Sequence, residues 1–313
     1  MALSVKEATH VHLSLRHGEN SMNPGIVAAI GAYASWGMLP IYWKLLGHVP
    51  TSQLLCHRIT WSFVVLAIFL VLTRRIARLR SSLSPSVWGS YVLASLLIGV
   101  NWFIYVWSVN AGYIVEASLG YFINPLLSVL LGVFFMRERL RPLQWAPLGL
   151  AAAGVIYLTF DYGRLPWIAL TLAITFSLYG LVKKKAPLGA FEGLTLETGL
   201  LLAPALAWLG WSELSGTGAF LHAEGGSDLL LMGAGVVTTA PLVMFAAAAH
   251  RIPLSMIGIL QYIAPTIQFL IGVFMYHEPF SRTQFTGFGM VWLAVLLFWL
   301  ERWSFGRKLR HPA

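Results

Sequence analysis

The sequence is poor in charged residues and nearly without cysteine. Only 11% of its 313 residues are charged while 58% are hydrophobic, which is too apolar for a soluble globular protein. The single cysteine, Cys56, excludes an internal disulfide and a cysteine-based metal cluster. Acidic residues number 12 against 21 basic ones. Because the basic residues stand in short clusters between apolar runs, we expect no nucleic-acid partner despite this positive charge.

The apolar residues are concentrated in ten long runs. Most runs have roughly 17–25 residues, the length that a helix needs to cross about 30 Å of hydrocarbon. They show no strand-like alternation, so we predict an all-α integral membrane protein in a lipid bilayer. The predicted helices are 26–43, 52–73, 87–109, 113–136, 143–160, 165–182, 194–212, 229–249, 254–276 and 283–301.

The basic residues fall on one side of these predicted helices. If the N-terminus is cytoplasmic, 17 of the 21 lysines and arginines lie on the cytoplasmic side. Three lie on the other side (Lys44, Arg164 and Arg282), and Arg58 lies within a helix. Cytoplasmic loops of membrane proteins carry such an excess. We therefore predict a multi-pass protein with both termini in the cytoplasm.

A stretch of the sequence is repeated once, 140 positions later. Of the 27 positions from Ile123 to Gly149, nine are identical without gaps to the later copy, including Pro125 with Pro265 and Glu138 with Glu278. Predicted helices four and five thus return as nine and ten, so the repeated unit has five helices. Five is odd, and the second copy must enter the membrane from the opposite face. Such a 5+5 inverted repeat is an architecture of secondary transporters.

The repeat divides the chain into four parts. We predict two five-helix repeats, 26–162 and 163–303, between an N-terminal tail, 1–25, and a C-terminal tail, 304–313. The N-terminal tail lacks the apolar core of a secretory signal, so we expect it to be cytoplasmic. A translation start at Met22 is the alternative.

Several short motifs carry a family resemblance that runs from about Gly25 to Trp303. They are Trp36-Gly37, His57-Arg58, Trp61–Phe63, Gly99–Trp102, Glu116–Pro125, Tyr179–Lys184, Gln261–Ile263 and Pro265-Thr266. With them the chain resembles the RarD-type permeases, in the EamA branch of the drug/metabolite transporter superfamily. The resemblance implies a permease of small organic molecules in the bacterial inner membrane. We expect no cofactor, and a monomer or weak homodimer.

Arg58 is the ionisable residue that lies deepest in a predicted helix. It stands about six residues into the second helix, roughly 9 Å below the outer edge. Ionisable groups inside a membrane are costly and indicate functional sites. We expect Arg58 to face a central cavity and bind a carboxylate or another acceptor of the substrate. The alternatives are a side chain that reaches back to the interface and a structural partner of Glu116.

Neutral polar and aromatic residues lie nearer the middle of the membrane. Such groups suit a pocket for an amphipathic small molecule, although each alone is equally compatible with helix packing. The set comprises Trp36, Asn101, Trp102, Tyr105, Tyr121, Asn124, Tyr179, Thr238, Thr239, Gln261, Tyr262 and Gln268.

Five further residues are candidates for gating or bending. His57, Glu116 and Glu197 are predicted near the two mouths, where a gate or a coupling group would stand; an ordinary interfacial residue is the alternative for Glu197. Pro125 and Pro265 remove backbone hydrogen bonds at matched places in the two halves. Matched helix breaks indicate where a substrate site lies, although a fixed kink for packing is equally compatible.

These features favour a secondary transporter that works by alternating access, and we expect export. Facilitative or proton-coupled uptake of an amino-acid-like metabolite is the alternative. No phosphate-binding Gly-rich loop is present, so ATP is not the direct energy source. A membrane-embedded enzyme would need a buried catalytic cluster, and we find no metal-binding HExxH motif, paired deep carboxylates or Cys–His pair. We therefore predict no catalytic residue and no metal site. The inverted repeat counts against an ion channel or a structural subunit.

Overall fold

The protein is described here by a computed structural model covering residues 23–111, 113–161, 166–222, 226–277 and 281–310. Throughout this part of the chain the regular structure is helical. Within these ranges, eight helices are long and apolar enough to cross a membrane, and two more contain shorter apolar stretches. This confirms the prediction of an all-α membrane protein. The helices are α1 Pro24–Leu45, α2 Thr51–Leu72, α3 Pro85–Asn110, α4 Ile114–Met136, α5 Trp145–Asp161, α6 Trp167–Lys185, α7 Ala190–Leu214, α8 Ser227–Ala249, α9 Leu254–Met275 and α10 Arg282–Arg310.

The helix ends follow local chemistry where the apolar pattern gives no signal. The Asn23 side chain accepts a hydrogen bond from the Gly25 N–H at 2.8 Å and Pro24 opens α1, a favourable start for a helix. Two predicted ends were too short. α7 begins at Ala190 rather than 194, and α10 continues to Arg310 rather than ending at 301. Both extensions are more polar than the apolar runs, so hydrophobicity alone did not reveal them.

Contacts between helix ends show how the bundle is threaded. Arg75, just after α2, pairs with Glu192 in the first turn of α7 at 3.4 Å. The Lys184 ammonium at the end of α6 donates to the Ile252 carbonyl before α9 at 2.8 Å. Much of the positive charge lies at this end of the bundle. We call it the basic end, after Arg74, Arg75, Arg78, Arg80, Arg137, Arg139, Arg141, Lys183–Lys185 and Arg251.

Contacts at the other end of the bundle connect helix termini that point away from the basic end. His48 after α1 lies 2.8 Å from Ser227 at the start of α8. The Trp107 and Trp167 rings, late in α3 and at the start of α6, are 5.6 Å apart. Since α1 begins at the basic end and α6 begins at the opposite end, the two repeats run in opposite directions.

Helix packing follows the same two-fold pattern. Shifting each label of the first repeat by five converts α1–α5 into α6–α10. α4 packs on α6 and α9 packs on α1, while α2 packs on α8 and α7 packs on α3. The exchange converts α4–α6 into α9–α1, and it converts α2–α8 into α7–α3. The packed pairs α2–α7, α4–α9 and α5–α10 join equivalent helices of the two repeats, so the exchange leaves them unchanged. The packing therefore agrees with the predicted 5+5 inverted repeat.

A matched turn follows the fourth helix of each repeat. Arg137 and His277, 140 positions apart, both adopt left-handed backbone, with φ of 55° and 52°. Such a residue is a common helix terminator. Because the two turns are separated by the same 140 positions as the repeated sequence, the internal symmetry includes the ends of the helices. Glu278, which follows His277, lies outside the described residues.

In the first repeat this turn directs Glu138 toward the second repeat. Its carboxylate accepts the backbone N–H groups of Leu254 at 2.6 Å and Ser255 at 2.9 Å, at the start of α9. Glu138 thus connects α4 to a helix N-terminus, where a negative charge is favourable. A methyl group at Gly132 would lie 2.6 Å from a Glu138 carboxylate oxygen. Gly132 therefore leaves room for this carboxylate.

The other repeated glycines have a different environment. No described atom lies within 4 Å of a methyl group placed at Gly149 or Gly289, so a close helix approach does not require either glycine. α5 and α10 instead approach each other closely at Gly154 and Gly287, where a methyl group would lie 3.1 Å from the Gly287 carbonyl oxygen and 2.5 Å from the Leu158 side chain, respectively.

The two repeats differ at their matched prolines. α4 is continuous through Pro125, whereas α9 is interrupted between Leu254–Leu260 and Ile263–Leu270. Pro265 has no N–H to donate to the carbonyl of Gln261, four residues earlier. Gln261 and Tyr262, the two residues of the interruption, are buried, and the interruption occurs in one repeat only.

Candidate functional site

A cavity of about 130 Å³ lies between the two repeats. Its walls come from the half of α1 farther from the basic end and from α2, α3, α4, α6, α8 and α9. Arg58 meets seven of the neutral residues predicted near the middle of the membrane there: Trp36, Asn101, Trp102, Tyr105, Tyr121, Asn124 and Gln261. Gln268 and the proposed hinge residue Pro265 also line the cavity.

Arg58 extends from α2 into this cavity. Its Nε donates to the Thr238 hydroxyl on α8 at 3.2 Å. The guanidinium carbon lies 5.0 Å from the Trp43 ring centroid and 4.9 Å from that of Trp102. Each such cation–π contact contributes about 0.5–2 kcal/mol. Among the described residues no carboxylate pairs with Arg58, and nothing accepts from its terminal nitrogens.

Two asparagines place amide groups in the cavity wall. The Asn101 amide nitrogen donates to the Leu172 carbonyl and the Thr175 hydroxyl, both at 2.9 Å, so Asn101 links α3 to α6. Asn124 accepts from the Ser177 hydroxyl at 2.6 Å through its side-chain oxygen. Its amide nitrogen has no partner among the described residues. Asn101 is therefore occupied by packing, whereas Asn124 retains a donor for a bound molecule.

Gln261 supplies a polar group from the broken helix. It lies in the interruption of α9 and is only 6% exposed. Its side-chain oxygen is buried and has no partner in the described structure. Unpartnered buried polar atoms are rare in proteins because each costs free energy. The position is therefore suited to a ligand or a bound water.

One face of α1 belongs to the cavity and was largely missed from the sequence. Tyr33, Trp36, Pro40 and Trp43 all line it, at spacings of three, four and three residues. These spacings place side chains on one helix face. Only Trp36 was selected, because a single motif drew attention to it. The periodicity of aromatic residues along α1 was the signal available for the others.

Aromatic side chains close the cavity toward the basic end. We call Tyr33, Trp36, Phe176, Tyr179 and Phe245 the aromatic cluster; their neighbouring ring centroids are 5.5–6.4 Å apart. Tyr33, Tyr179 and Phe245 are at most 2% exposed. Edge-on and tilted packing of this kind fills space efficiently. The aromatic cluster therefore lies between the cavity and the basic end in this conformation.

A buried ion pair lies beyond the aromatic cluster. Lys183 and Glu197 are 2.7 Å apart with side chains 1% and 2% exposed. The Tyr179 hydroxyl donates to the other Glu197 oxygen at 2.8 Å. Tyr179 and Glu197, two predicted site residues, thus meet each other away from the cavity. Neither lines it.

Among the described side chains, His57, Thr238 and Thr239 also lie outside the cavity. The His57 ring packs on Phe220 with centroids 5.1 Å apart. Thr238, not Thr239, contacts Arg58, and the Thr239 hydroxyl is buried without a partner in the described chain. The side chain of Glu116 lies outside the described residues, so its proposed pairing with Arg58 stays a prediction.

Tyr262 and Pro125 belong to a second, apolar crevice. It has a volume of about 20 Å³ and lies between α4, α5, α9 and α10. The Tyr262 hydroxyl donates to the Phe122 carbonyl at 3.4 Å, which links the two repeats. The crevice has no room for an organic substrate, so these two residues have a packing role in this conformation.

Several known proteins are similar to this chain in sequence or in fold. Residues 23–160 match the EamA-like transporter family. An uncharacterized transporter of Bacillus subtilis, YojE, is 47% identical over 91% of this chain and 95% of its own length. Protein RarD of Streptomyces exfoliatus is 44% identical over 90% of each chain. A solved crystal structure with 20% identity has a TM-score of 0.64 and covers 88% of this chain and 97% of its own, a likeness of fold.

Proposed function

Because the chain belongs to the RarD-type branch of the EamA-like transporter family and is thus a membrane transporter, we propose that it moves small organic molecules through the central cavity by alternating access. We place it in the bacterial inner membrane with the basic end in the cytoplasm, in keeping with the excess of basic residues on cytoplasmic loops. The expected direction is export. No enzymatic activity is proposed.

The observation that carries this proposal is the position of the cavity between two inverted repeats. Both repeats contribute walls, and the aromatic cluster and the Lys183–Glu197 pair separate the cavity from the basic end. Inverted repeats allow a protein to open to either side by moving one unit against the other. A cavity closed at one end is the expected appearance of one of those two states.

The test fills the cavity without altering the surface that faces lipid. Leu39 lines the cavity, while its neighbour Met38 is 52% exposed. We expect Leu39→Trp to reduce transport at least tenfold because the larger ring occupies the path. Met38→Trp, on the same helix turn, serves as the matched control and should transport like the parent.

Transport is first measured without a chosen substrate. Metabolites inside and outside cells are compared with and without the protein, and any compound that changes is then followed into liposomes containing purified protein. The direction of the change distinguishes export from uptake. Equal metabolite levels, or a Leu39→Trp variant that transports normally, would contradict the proposed role of the cavity.

A further inference from the structure

The cavity has a strongly uneven electrostatic character. Arg58 is the one basic residue of its described lining, and the described lining contains no acidic residue. The other polar groups are neutral amides and phenols. In a partly buried site, a guanidinium with no described carboxylate partner attracts anions more strongly than it would in solution. A cationic molecule would meet repulsion there, and a neutral one would leave the charge unpaired.

The orientation of Arg58 leaves its best donors unused. The bond from Nε to Thr238 and the two tryptophan rings fix the guanidinium plane. The tryptophan ring faces attract the cation but accept no hydrogen bond from the N–H groups, which lie in the guanidinium plane. The two terminal nitrogens form a flat fork whose geometry matches a carboxylate bidentately. Since Trp43 and Trp102 flank this fork, a planar acceptor fits it better than a bulky one.

The rest of the cavity suits the body of such a molecule. Trp36, Tyr105 and Phe176 present ring surfaces beyond the fork, and Asn124 offers an unpartnered amide donor. Ring surfaces favour a flat apolar skeleton. The described lining has no carboxylate that would pair with an ammonium group, so a zwitterionic amino acid gains less here than the corresponding simple acid.

We propose that the cavity selects organic monoanions, with a carboxylate on the Arg58 fork and a flat apolar body against the aromatic walls. The inference deepens the proposed transport function and rests on it for its biological meaning. The binding site itself can be tested without any transport measurement.

The test compares three probes with nearly the same skeleton and different charge. These are 3-phenylpropanoate, the neutral 3-phenylpropanamide and the zwitterion phenylalanine, with inorganic phosphate as a fourth. Binding to purified protein in detergent is measured by equilibrium dialysis. We expect 3-phenylpropanoate to bind at least tenfold more tightly than each of the others. Equal binding of the amide, or tighter binding of phenylalanine or phosphate, would overturn the assignment.

Variants then identify the fork. Arg58→Gln should weaken 3-phenylpropanoate binding at least tenfold and remove the preference over the amide. Arg58→Lys retains the charge but not the fork, so intermediate binding is expected. Arg282→Gln removes one exposed positive charge outside the described lining and is the matched control. Unchanged binding in Arg58→Gln, or a loss of equal size in Arg282→Gln, would contradict a role for the fork.

The outcomes separate this inference from the proposed function. Selective binding of 3-phenylpropanoate without any flux in liposomes would support the anion site and contradict transport. Flux of neutral compounds without anion selectivity would support transport and contradict the anion site. A melting curve of each variant identifies loss of folding, and Arg58→Lys provides the readout if Arg58→Gln does not fold.

Discussion

At the residue scale, Lys183 and Glu197 depend on each other because neither reaches water. Removing one partner of a buried pair leaves an uncompensated charge. We predict that Glu197→Gln lowers the free energy of unfolding by about 3–5 kcal/mol, measured by denaturant or detergent unfolding of the purified protein. Glu213→Gln is the control, since Glu213 pairs with His222 at 56% exposure and should change stability by less than about 1 kcal/mol.

A double substitution tests whether the charge itself causes the loss. Replacing both partners by apolar residues, as in Lys183→Met with Glu197→Leu, removes the unpaired charge and should be less destabilising than Glu197→Gln alone. If the double variant is as unstable as the sum of the two single variants, the pair contributes through shape and not through charge. The Tyr179 hydroxyl would then be the partner to examine.

At the element scale, the start of α9 depends on a carboxylate from the other repeat. A methyl group in Gly132→Ala would displace the Glu138 side chain and release two backbone N–H groups. We predict a loss of about 1–3 kcal/mol in the free energy of unfolding. Gly149→Ala is the matched control because a methyl group there meets no described atom within 4 Å.

The sign of the control is also predicted. Alanine in an unobstructed helix position is more favourable than glycine by roughly 0.5–1 kcal/mol, so Gly149→Ala should leave stability unchanged or raise it. Equal effects of the two substitutions would show that Glu138 does not stabilise α9.

The sequence predicted the helices better than it predicted the contacts between side chains on different helices. Helix number and position followed from apolar length, which the bilayer fixes, and the repeat followed from identities at one offset. Arg58 and Asn124 were found because polar groups are conspicuous in apolar helices. The partners of Glu138 were not predictable, since that pairing joins α4 to α9, 116 residues later in the chain. Lys183 and Glu197 lie on the consecutive helices α6 and α7, but the sequence does not indicate which of the lysines at the end of α6 turns inward. The same holds for the α9 break, because Pro125 and Pro265 have the same local chemistry.

At the scale of the whole molecule, symmetric folding and asymmetric chemistry coexist. Equivalent helices of the two repeats have equivalent packing partners, yet the charged residues near the two ends of the bundle differ. On α2, Arg58 faces the cavity, while on the corresponding α7, Glu197 is neutralised by Lys183 and sealed behind the aromatic cluster. A transporter that alternates between two states needs such an asymmetry if its two openings are to differ in what they admit.

The orientation of the molecule in the membrane is the prediction that connects this asymmetry to direction. In a Cys56→Ala background, single cysteines at Ser215 and Ser81 mark the two ends, since Ser215 follows α7 and Ser81 lies in the short helix Ile76–Ser81 at the basic end. Both positions are exposed. If the basic end is cytoplasmic, a membrane-impermeant maleimide should label Ser215→Cys in intact spheroplasts and Ser81→Cys only after permeabilisation. The reverse pattern would place the Arg58 side of the cavity toward the cytoplasm, and the expected direction of transport would have to be reconsidered.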